Sequence, residues 1–474
     1  MSAKDKALFT LNSASSAPYY RQIYERIRHA ITNGTLKPGD RIPSERALTK
    51  ELGLARGTVK SAYSLLAAEG YTQSLGQGGT VVASNLNIKK SPPGKTNRAN
   101  KDHPNSFRPD SILPFQMGLP ALDAFPRKIW ARLTAKCARS MQLSDMAHPS
   151  IYGLPALRNE ISAYLQVSRG IHCSPSQVFL TTGYRNSVEL IAHAFLKPQD
   201  QVLIEDPGYP PTKELLNKLG MNVVPVAVDQ EGINVEVGIS AVPHARAIVV
   251  TPGHQSPLGV SLSLARRLNL IDWASRNKTW IIEDDYDSEY RYISRPLPAL
   301  KNLDHSERVI YSGTFSKVLF PGLRLAYVVI PEPEVENFEK VMQTFAGGCP
   351  QLTQEIVAAF MKEGHFARHI QRMRKLYADR RALTIDGLNK SLSEWMSIDS
   401  QPGGMHLILR LNHQEPGTEL VKLMREKGLF AEALSDWTVD GGQLSTILIN
   451  FTNIHSQNQA AEYGKTILDL LKLY

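Results

Sequence analysis

From about Pro114 onward, short apolar runs alternate with amphipathic stretches, and no other feature constrains the fold of this chain as strongly. Val178-Phe179-Leu180, Gln201-Val202-Leu203-Ile204, Ala247-Ile248-Val249-Val250, Trp280-Ile281-Ile282 and Val309-Ile310-Tyr311 are near-continuous apolar runs. An extended segment that is apolar on both sides must be covered on both sides, as the inner strands of a parallel sheet are. Parallel strands need crossovers, and stretches of helical period such as Arg185–Leu196 and Leu264–Ser275 lie between the runs. The alternation predicts an α/β domain with a largely parallel sheet. After about Cys349 the pattern turns mostly helical, with strands at Leu407-Ile408-Leu409 and Ile447-Leu448-Ile449, which predicts a smaller α+β part.

The 474 residues exceed one typical domain about threefold, so more than one core is expected. From Ser91 to Asn105 the composition changes to Pro, Gly, Asn and Lys with no apolar period, the composition of a linker. The division read from the sequence is a helical unit at 10–84, a basic flexible linker at 85–112 and the α/β domain at 113–474. The last divides into a large part at about 113–348 and a small part at about 349–474. As a coil, the 28-residue linker spans on the order of 30 Å. Residues 1–84 carry a net charge of +5 and residues 85–112 a net of +4, whereas the rest of the chain sums to zero. A polyanion is therefore the expected partner of the N-terminal part. No apolar stretch is long enough to span a membrane, and the N-terminus has no apolar signal core, so a cytoplasmic protein with no membrane partner is expected. Cys137, Cys173 and Cys349 are few, odd in number and widely spaced, which predicts buried free thiols and no metal site.

Within the N-terminal unit, Ile23, Ile27 and Ile31 recur at helical spacing and Gly34 stops that helix. Ser44 is a suitable N-cap for a helix over Glu45–Leu52, with Ala47, Leu48 and Leu52 inward. After the turn at Gly53-Leu54-Ala55, a helix from Arg56 to Glu69 is expected to bury Val59, Tyr63, Leu65 and Leu66. Tyr71–Ser74 and Thr80–Ala83 read as two strands with Gln77-Gly78-Gly79 at their tip. Helix, helix, turn, helix and hairpin is the order of a winged helix-turn-helix. Arg56 and Thr58 open the third helix, whose start can meet phosphate or base edges, and Gly78 and Gly79 let the wing backbone come close to a groove.

The strongest chemical signal is Tyr311-Ser312-Gly313-Thr314-Phe315-Ser316-Lys317, with Arg324 seven residues on. A lysine in a loop of small hydroxyl residues after an apolar strand suits a nucleophile held beside a phosphate, which Thr314, Ser316 and Arg324 can bind. Three further segments converge on the same chemistry. In Trp280–Asp287, the carboxylate of Asp284 can pair with a pyridine nitrogen and Tyr286 can reach a phenolic oxygen. In Thr181–Ser187, Gly183, Tyr184 and Arg185 form a strand-to-helix turn whose N–H groups can cradle phosphate. In Glu205–Pro210, Tyr209 can stack on a ring face. The cofactor expected from this set is pyridoxal 5′-phosphate, covalently held by Lys317.

The residues Pro38–Arg46 and Leu54–Lys60 resemble the GntR family of DNA-binding regulators. That resemblance implies that Arg41, Arg46, Arg56, Thr58 and Lys60 contact double-stranded operator DNA. The four cofactor segments resemble fold-type I aminotransferases. Together with Pro126–Trp130, Tyr152-Gly153, Thr251–Gln255 and Gly364–Arg374, they make the whole chain resemble the MocR/GabR regulators, which fuse the two parts. The resemblance implies a winged helix-turn-helix followed by a type I α/β pyridoxal-phosphate-dependent transferase fold with a smaller α+β subdomain. It also implies a head-to-tail homodimer in which Tyr152 reaches the partner's phosphate site. For His254 and Gln255, cofactor contact and a structural loop role both stay open.

Three positions depart from the pattern. Arg185 stands where the family has Gln, and Leu258 where it has Thr. The arginine that clamps a substrate carboxylate in aminotransferases is expected near Ser445–Ile449, yet no Lys or Arg occurs between Gly428 and Gly464. The expected function is a transcription regulator whose second domain senses pyridoxal phosphate or an amino-group metabolite, with a role in vitamin B6 control. The alternatives are a working aminotransferase with an accessory DNA-binding domain, and a cofactor-free dimerisation scaffold.

Overall fold

A computed structural model describes residues 11–12, 17–84, 86, 112–292, 298–399, 401, 403–412, 417–442 and 444–473. The chain divides into two units, Met1–Pro109 and Asp110–Tyr474. The linker expected at 85–112 falls almost wholly outside the described residues.

In the first unit, helices α1 (Tyr19–Thr32), α2 (Glu45–Leu52) and α3 (Arg56–Ala68) pack around one core. Ile23, Ile27 and Ile31 of α1 meet Leu48 of α2 and Val59, Tyr63 and Leu66 of α3, all essentially fully buried. Each such side chain contributes about 1.5–3 kcal/mol on leaving water. Ser44 caps α2 by accepting from the Ala47 N–H at 3.2 Å, and Gly53 ends it in the left-handed region at φ 64°. Leu65 and Ala47, expected inward, are exposed. The helix turns past the core at both positions, and Leu66 and Leu48 fill it. Strands β2 (Thr72–Ser74) and β3 (Thr80–Val82) form the wing, and β3 also pairs antiparallel with β1 (Arg41–Ile42). That two-residue strand, too short to show a period, makes the sheet three-stranded.

The second unit is built on an eight-stranded sheet in the order β4-β11-β10-β9-β8-β5-β6-β7. Its strands are β4 (Val178–Thr181), β5 (Gln201–Asp206), β6 (Asn222–Asp229), β7 (Gly232–Ile233), β8 (Ala247–Val250), β9 (Trp280–Asp285), β10 (Val309–Thr314) and β11 (Ala326–Val329). The run from β10 through β6 is parallel, while β11 and β7 pair antiparallel with their neighbours. All five strands read from apolar runs are present. The parallel strands deliver their C-terminal ends, Asp206, Val250, Asp285 and Thr314, to one edge, where open α/β sheets bind ligands.

A second, four-stranded antiparallel sheet has the order β12-β13-β15-β14, from β12 (Met396–Ile398), β13 (His406–Leu411), β14 (Glu432–Ala433) and β15 (Thr446–Asn450). The 28-residue helix His365–Leu392 and the C-terminal helix Gln457–Leu471 cover it. Phe115 and Ala121, in the span expected to belong with the large sheet, are buried in the core of this small one. Phe115 pairs with Asn450, so the segment entering the second unit is stitched to the C-terminal sheet.

Candidate cofactor pocket and DNA-reading surface

At the carboxyl edge of the large sheet lies a cavity of about 500 Å³. Its lining brings together Tyr184, Arg185, Tyr209, Asp284, Tyr286, Thr314, Ser316, Lys317 and Arg324, nine residues that sequence reasoning drew from four separate segments. Gly183 caps the helix Tyr184–Phe195 at φ 123°, and a Cβ there would stand 3.2 Å from the Arg324 guanidinium. The cap therefore has room for an anion between free helix N–H groups and an arginine only because it is glycine.

The Lys317 Nζ donates to the Gly118 carbonyl at 3.0 Å. Burial pushes its ammonium below the usual range, against the pull of Asp287 and Asp284. Asp284 shows the opposite effect. Burial, reinforced by Asp285 and Glu205, pushes its carboxyl well above the usual range, with Lys317 opposing. A buried carboxyl of this kind is stabilised in its charged form by an added cation, such as a protonated ring nitrogen. Tyr286 Oη and Asp287 Oδ1 both lie 3.0 Å from His254 Nδ1. His254 thus reaches the cavity through Tyr286, whereas Gln255 donates to the Pro207 and Ser256 carbonyls and to Glu205, a structural loop role. Tyr209 stands at ring contact with Tyr184 and Trp437, at 5.9 and 5.8 Å.

Behind Asp284 lies a buried ionic cluster. Arg169 Nε donates to Asp285 at 2.6 Å and its Nη2 lies 2.7 Å from Glu289. Tyr311 donates to Asp285 and Tyr164 to Glu289, at 2.6 and 2.7 Å. Burial works to raise Asp285, but Arg169 and the bonds from Ser288 and Tyr311 outweigh it and hold the carboxyl below its usual range. The end of β9 therefore carries a fixed negative charge next to a carboxyl that resists ionising.

Tyr152 is not in the cavity wall. Its Oη accepts from Gln343 at 2.6 Å and its ring packs edge-on to Phe179. Sequence reasoning missed Met117, Gly118, Asp287, Met405, His406, Glu432, Trp437 and Asn450, all of which line the cavity. Most come from the C-terminal sheet and its approaches, which only the tertiary fold brings to the site. Cys137 and Cys349 are buried and Cys173 is half-buried, and all three are free. Among the described residues no group of His, Cys, Asp and Glu is arranged to hold a metal ion, and no helix is long and apolar enough to cross a membrane.

In the first unit, Arg41, Arg46, Arg56 and Lys60 are exposed and Thr58 half-exposed, on β1, α2 and α3. None of these four cations takes part in an ion pair among the described residues. The α3 N-terminus follows Ala55, which supplies no side-chain cap, so its first N–H groups are open to an outside acceptor. Gly79 sits at φ 84° in the wing, a conformation that favours glycine.

This geometry defines a helix-turn-helix module joined to an aminotransferase fold. The model for bacterial regulatory proteins of the gntR family matches residues 19–82, and that for aminotransferase class I and II matches residues 124–450. The probable rhizopine catabolism regulatory protein MocR of Rhizobium meliloti is 34% identical over 90% of this chain and 89% of its own. The HTH-type pyridoxine biosynthesis transcriptional regulator PdxR of Corynebacterium glutamicum is 32% identical over 91% of each chain. The second unit has the fold of solved aminotransferases. LysN, the alpha-aminoadipate aminotransferase of Thermus thermophilus, superposes with a TM-score of 0.69 at 25% identity, over 77% of this chain and 94% of that one. The Pyrococcus horikoshii kynurenine aminotransferase gives 0.69 at 24% identity, over 77% and 92%.

The chain belongs to the MocR/GabR family. It is a DNA-binding transcription regulator, with pyridoxal phosphate as the cofactor of its aminotransferase-like domain.

Proposed function

We propose that this regulator holds pyridoxal phosphate in the 500 Å³ cavity through Lys317 and converts cofactor or amine occupancy into a change in operator affinity. The observation that carries the reading is the meeting of Lys317, Asp284, Tyr286 and Arg324 in one cavity. Bound there, pyridoxal phosphate supplies an aldehyde that captures amines and an electron-poor ring. Around it, Asp284 would hold the proton on the ring nitrogen, and Tyr286, kept in place by His254, would donate to the phenolic oxygen. Arg324, Arg185, Thr314, Ser316 and the N–H groups after Gly183 would take the phosphate. Tyr209 would cover one ring face. On the DNA side, Arg46, Arg56 and Thr58 would read the operator, with Arg41, Lys60 and the Gly78-Gly79 wing on its backbone. Tyr152, which does not line its own cavity, fits a head-to-tail homodimer in which it serves the partner's phosphate.

Sensing is favoured over turnover because the carboxylate clamp of aminotransferases is missing. At Ser445–Ile449, on and just before β15, the chain offers Ser, Thr, Ile, Leu and Ile. Orienting a substrate for proton removal can be worth roughly 7–11 kcal/mol of barrier, and common α-amino acids find no such clamp here.

The test has two arms. Wild type should show a visible cofactor band and a borohydride-reducible adduct, and Lys317→Ala should lose the adduct. Operator titrations with and without pyridoxal phosphate should then differ for wild type but not for Lys317→Ala, since an effector acts only through differential affinity. Rapid turnover of a common amino acid, with operator affinity indifferent to the cofactor, would establish the enzyme reading instead. For the DNA side, Arg56→Ala should weaken operator binding at moderate salt, and loss of a phosphate contact should lower the salt slope by about one.

A further inference from the structure

The wall that the C-terminal sheet gives to the cavity has the wrong charge for a carboxylate. Leu448 of β15 stands opposite Glu432 of β14 on one side and Ile408 of β13 on the other, and Asn450 stands opposite His406. Paired residues, and residues two apart on a strand, share a face, so all five present to one side. Ile408 and Leu448 are fully buried and pack with Leu434 against Met117, Leu258 and Trp437. The place expected for the clamp arginine is thus filled by an apolar cluster. His406 carries no charge to replace it: burial and its neighbour His254 push it down to about 4, while its Nε2 donates to the Pro257 carbonyl at 2.6 Å. The Asn450 amide is taken up by the Leu119 carbonyl and by Thr452. Arg410, next along the same row, is ion-paired with Asp399 at 2.9 Å.

What remains on this wall is Glu432. Its Oε2 accepts from Trp437 Nε1 at 3.0 Å, and among the described residues no Lys or Arg lies at ion-pair distance from it. It lines the same cavity as Lys317 and Tyr209, and the Trp437 ring is 5.8 Å from that of Tyr209.

We propose that the ligand of this pocket is a cationic amine without a carboxylate, one amino group addressed to the Lys317 end and a second positive group held by Glu432. This rests on the cofactor reading given above. Burial pushes the Glu432 carboxyl above its usual range, so an ammonium placed beside it stabilises the charged form, and the Trp437 and Tyr209 faces add to that attraction. A ligand carboxylate placed there would meet another acid and an apolar surface with no cation to balance it, which is rejection as well as lack of welcome.

The experiment titrates the full-length, cofactor-loaded protein with 1,4-diaminobutane, 4-aminobutanoate, propylamine and L-alanine. The cofactor band and calorimetric heat are both followed. The first two probes share a four-carbon length and differ in the charge of the far end. Diaminobutane should bind about tenfold or more tightly than 4-aminobutanoate, the scale of one charged hydrogen bond. Glu432→Gln should reduce that ratio about tenfold. An equal or inverted ratio in wild type, which is what capture of a carboxylate by Arg185 would give, overturns the proposal while leaving the cofactor reading intact. A ratio unmoved by Glu432→Gln overturns the assignment to Glu432. Should the variant fail to take up cofactor, the wild-type ratio decides alone. A wild type that takes up no pyridoxal phosphate overturns the cofactor reading and this proposal together.

Discussion

The Lys317 ammonium is restrained, among the described residues, by the Gly118 carbonyl, and Gly118 itself leaves little slack. It sits at φ 77°, and a Cβ there would stand 2.5 Å from Lys317 Nζ. Gly118→Ala therefore strains the backbone and displaces the lysine at once. We expect the variant to stay folded and to take up pyridoxal phosphate about tenfold or more weakly, because the displaced Nζ no longer stands where it can meet the aldehyde. Equilibrium dialysis against the cofactor checks this, and wild-type affinity would show that the Nζ position is not critical. At this scale the sequence was most legible where chemistry demands a residue type. Lysine, aspartate and arginine around a phosphate stand out in any order of reading. Glu432 did not, because Phe430-Ala431-Glu432-Ala433 has nothing unusual in it. Only its pairing with Leu448 turns it toward the cavity side.

Among the elements, α3 holds a residue that its own stability does not explain. Gly57 lies in its first turn, where an added Cβ would meet nothing within 4 Å. An exposed helical glycine costs about 1 kcal/mol relative to alanine. Close approach of DNA to the helix start would account for it. Gly57→Ala is expected to raise the thermal midpoint of the first unit while weakening operator binding, and gel-shift and melting measurements on the same preparation separate the two effects. A stabilised variant with unchanged operator affinity would take Gly57 out of the interface. Elements were readable where a run was apolar and buried throughout. β4, β5, β8, β9 and β10 declared themselves in that way, whereas β6, eight residues long but only partly buried, and the two-residue β1, β7 and β14 did not. β11 went unread because Ala326–Val329 follows directly on the cofactor loop and Arg324, where polar chemistry masks the start of the strand.

In the molecule as a whole, burial sets buried acids and bases against each other. Glu205 and Glu283 are pushed from 4.5 up to about 7 by burial, and His369 and His406 from 6.5 down to about 4, also by burial first. For each glutamate the folded state binds the extra proton between about 4.5 and 7, so its contribution to stability falls as pH rises through that window. For each histidine the unfolded state binds the extra proton between about 4 and 6.5, so stability rises with pH there. From pH 4.5 to 6.5 the two pairs oppose each other. Glu205→Gln removes one falling contribution, on the order of 3 kcal/mol at most. The difference in melting temperature, variant minus wild type, should therefore climb from pH 4.5 to 7 and then level off. A flat difference would mean that Glu205 is ionised in the folded protein.

The stitching of residues 113–121 has one more consequence. Phe115 is paired with Asn450, the Leu119 carbonyl is held by Asn450 and Thr452, and the Gly118 carbonyl is held by Lys317. Were Lys317 to hold a cofactor aldehyde, the ammonium that grips Gly118 would be used up and one of these stitches would be undone. The same few residues begin the covalent route back to the DNA-binding unit. A latch of this kind would need no long relay through the protein interior: the chemical event would loosen the stretch from which the chain runs back toward the reading head.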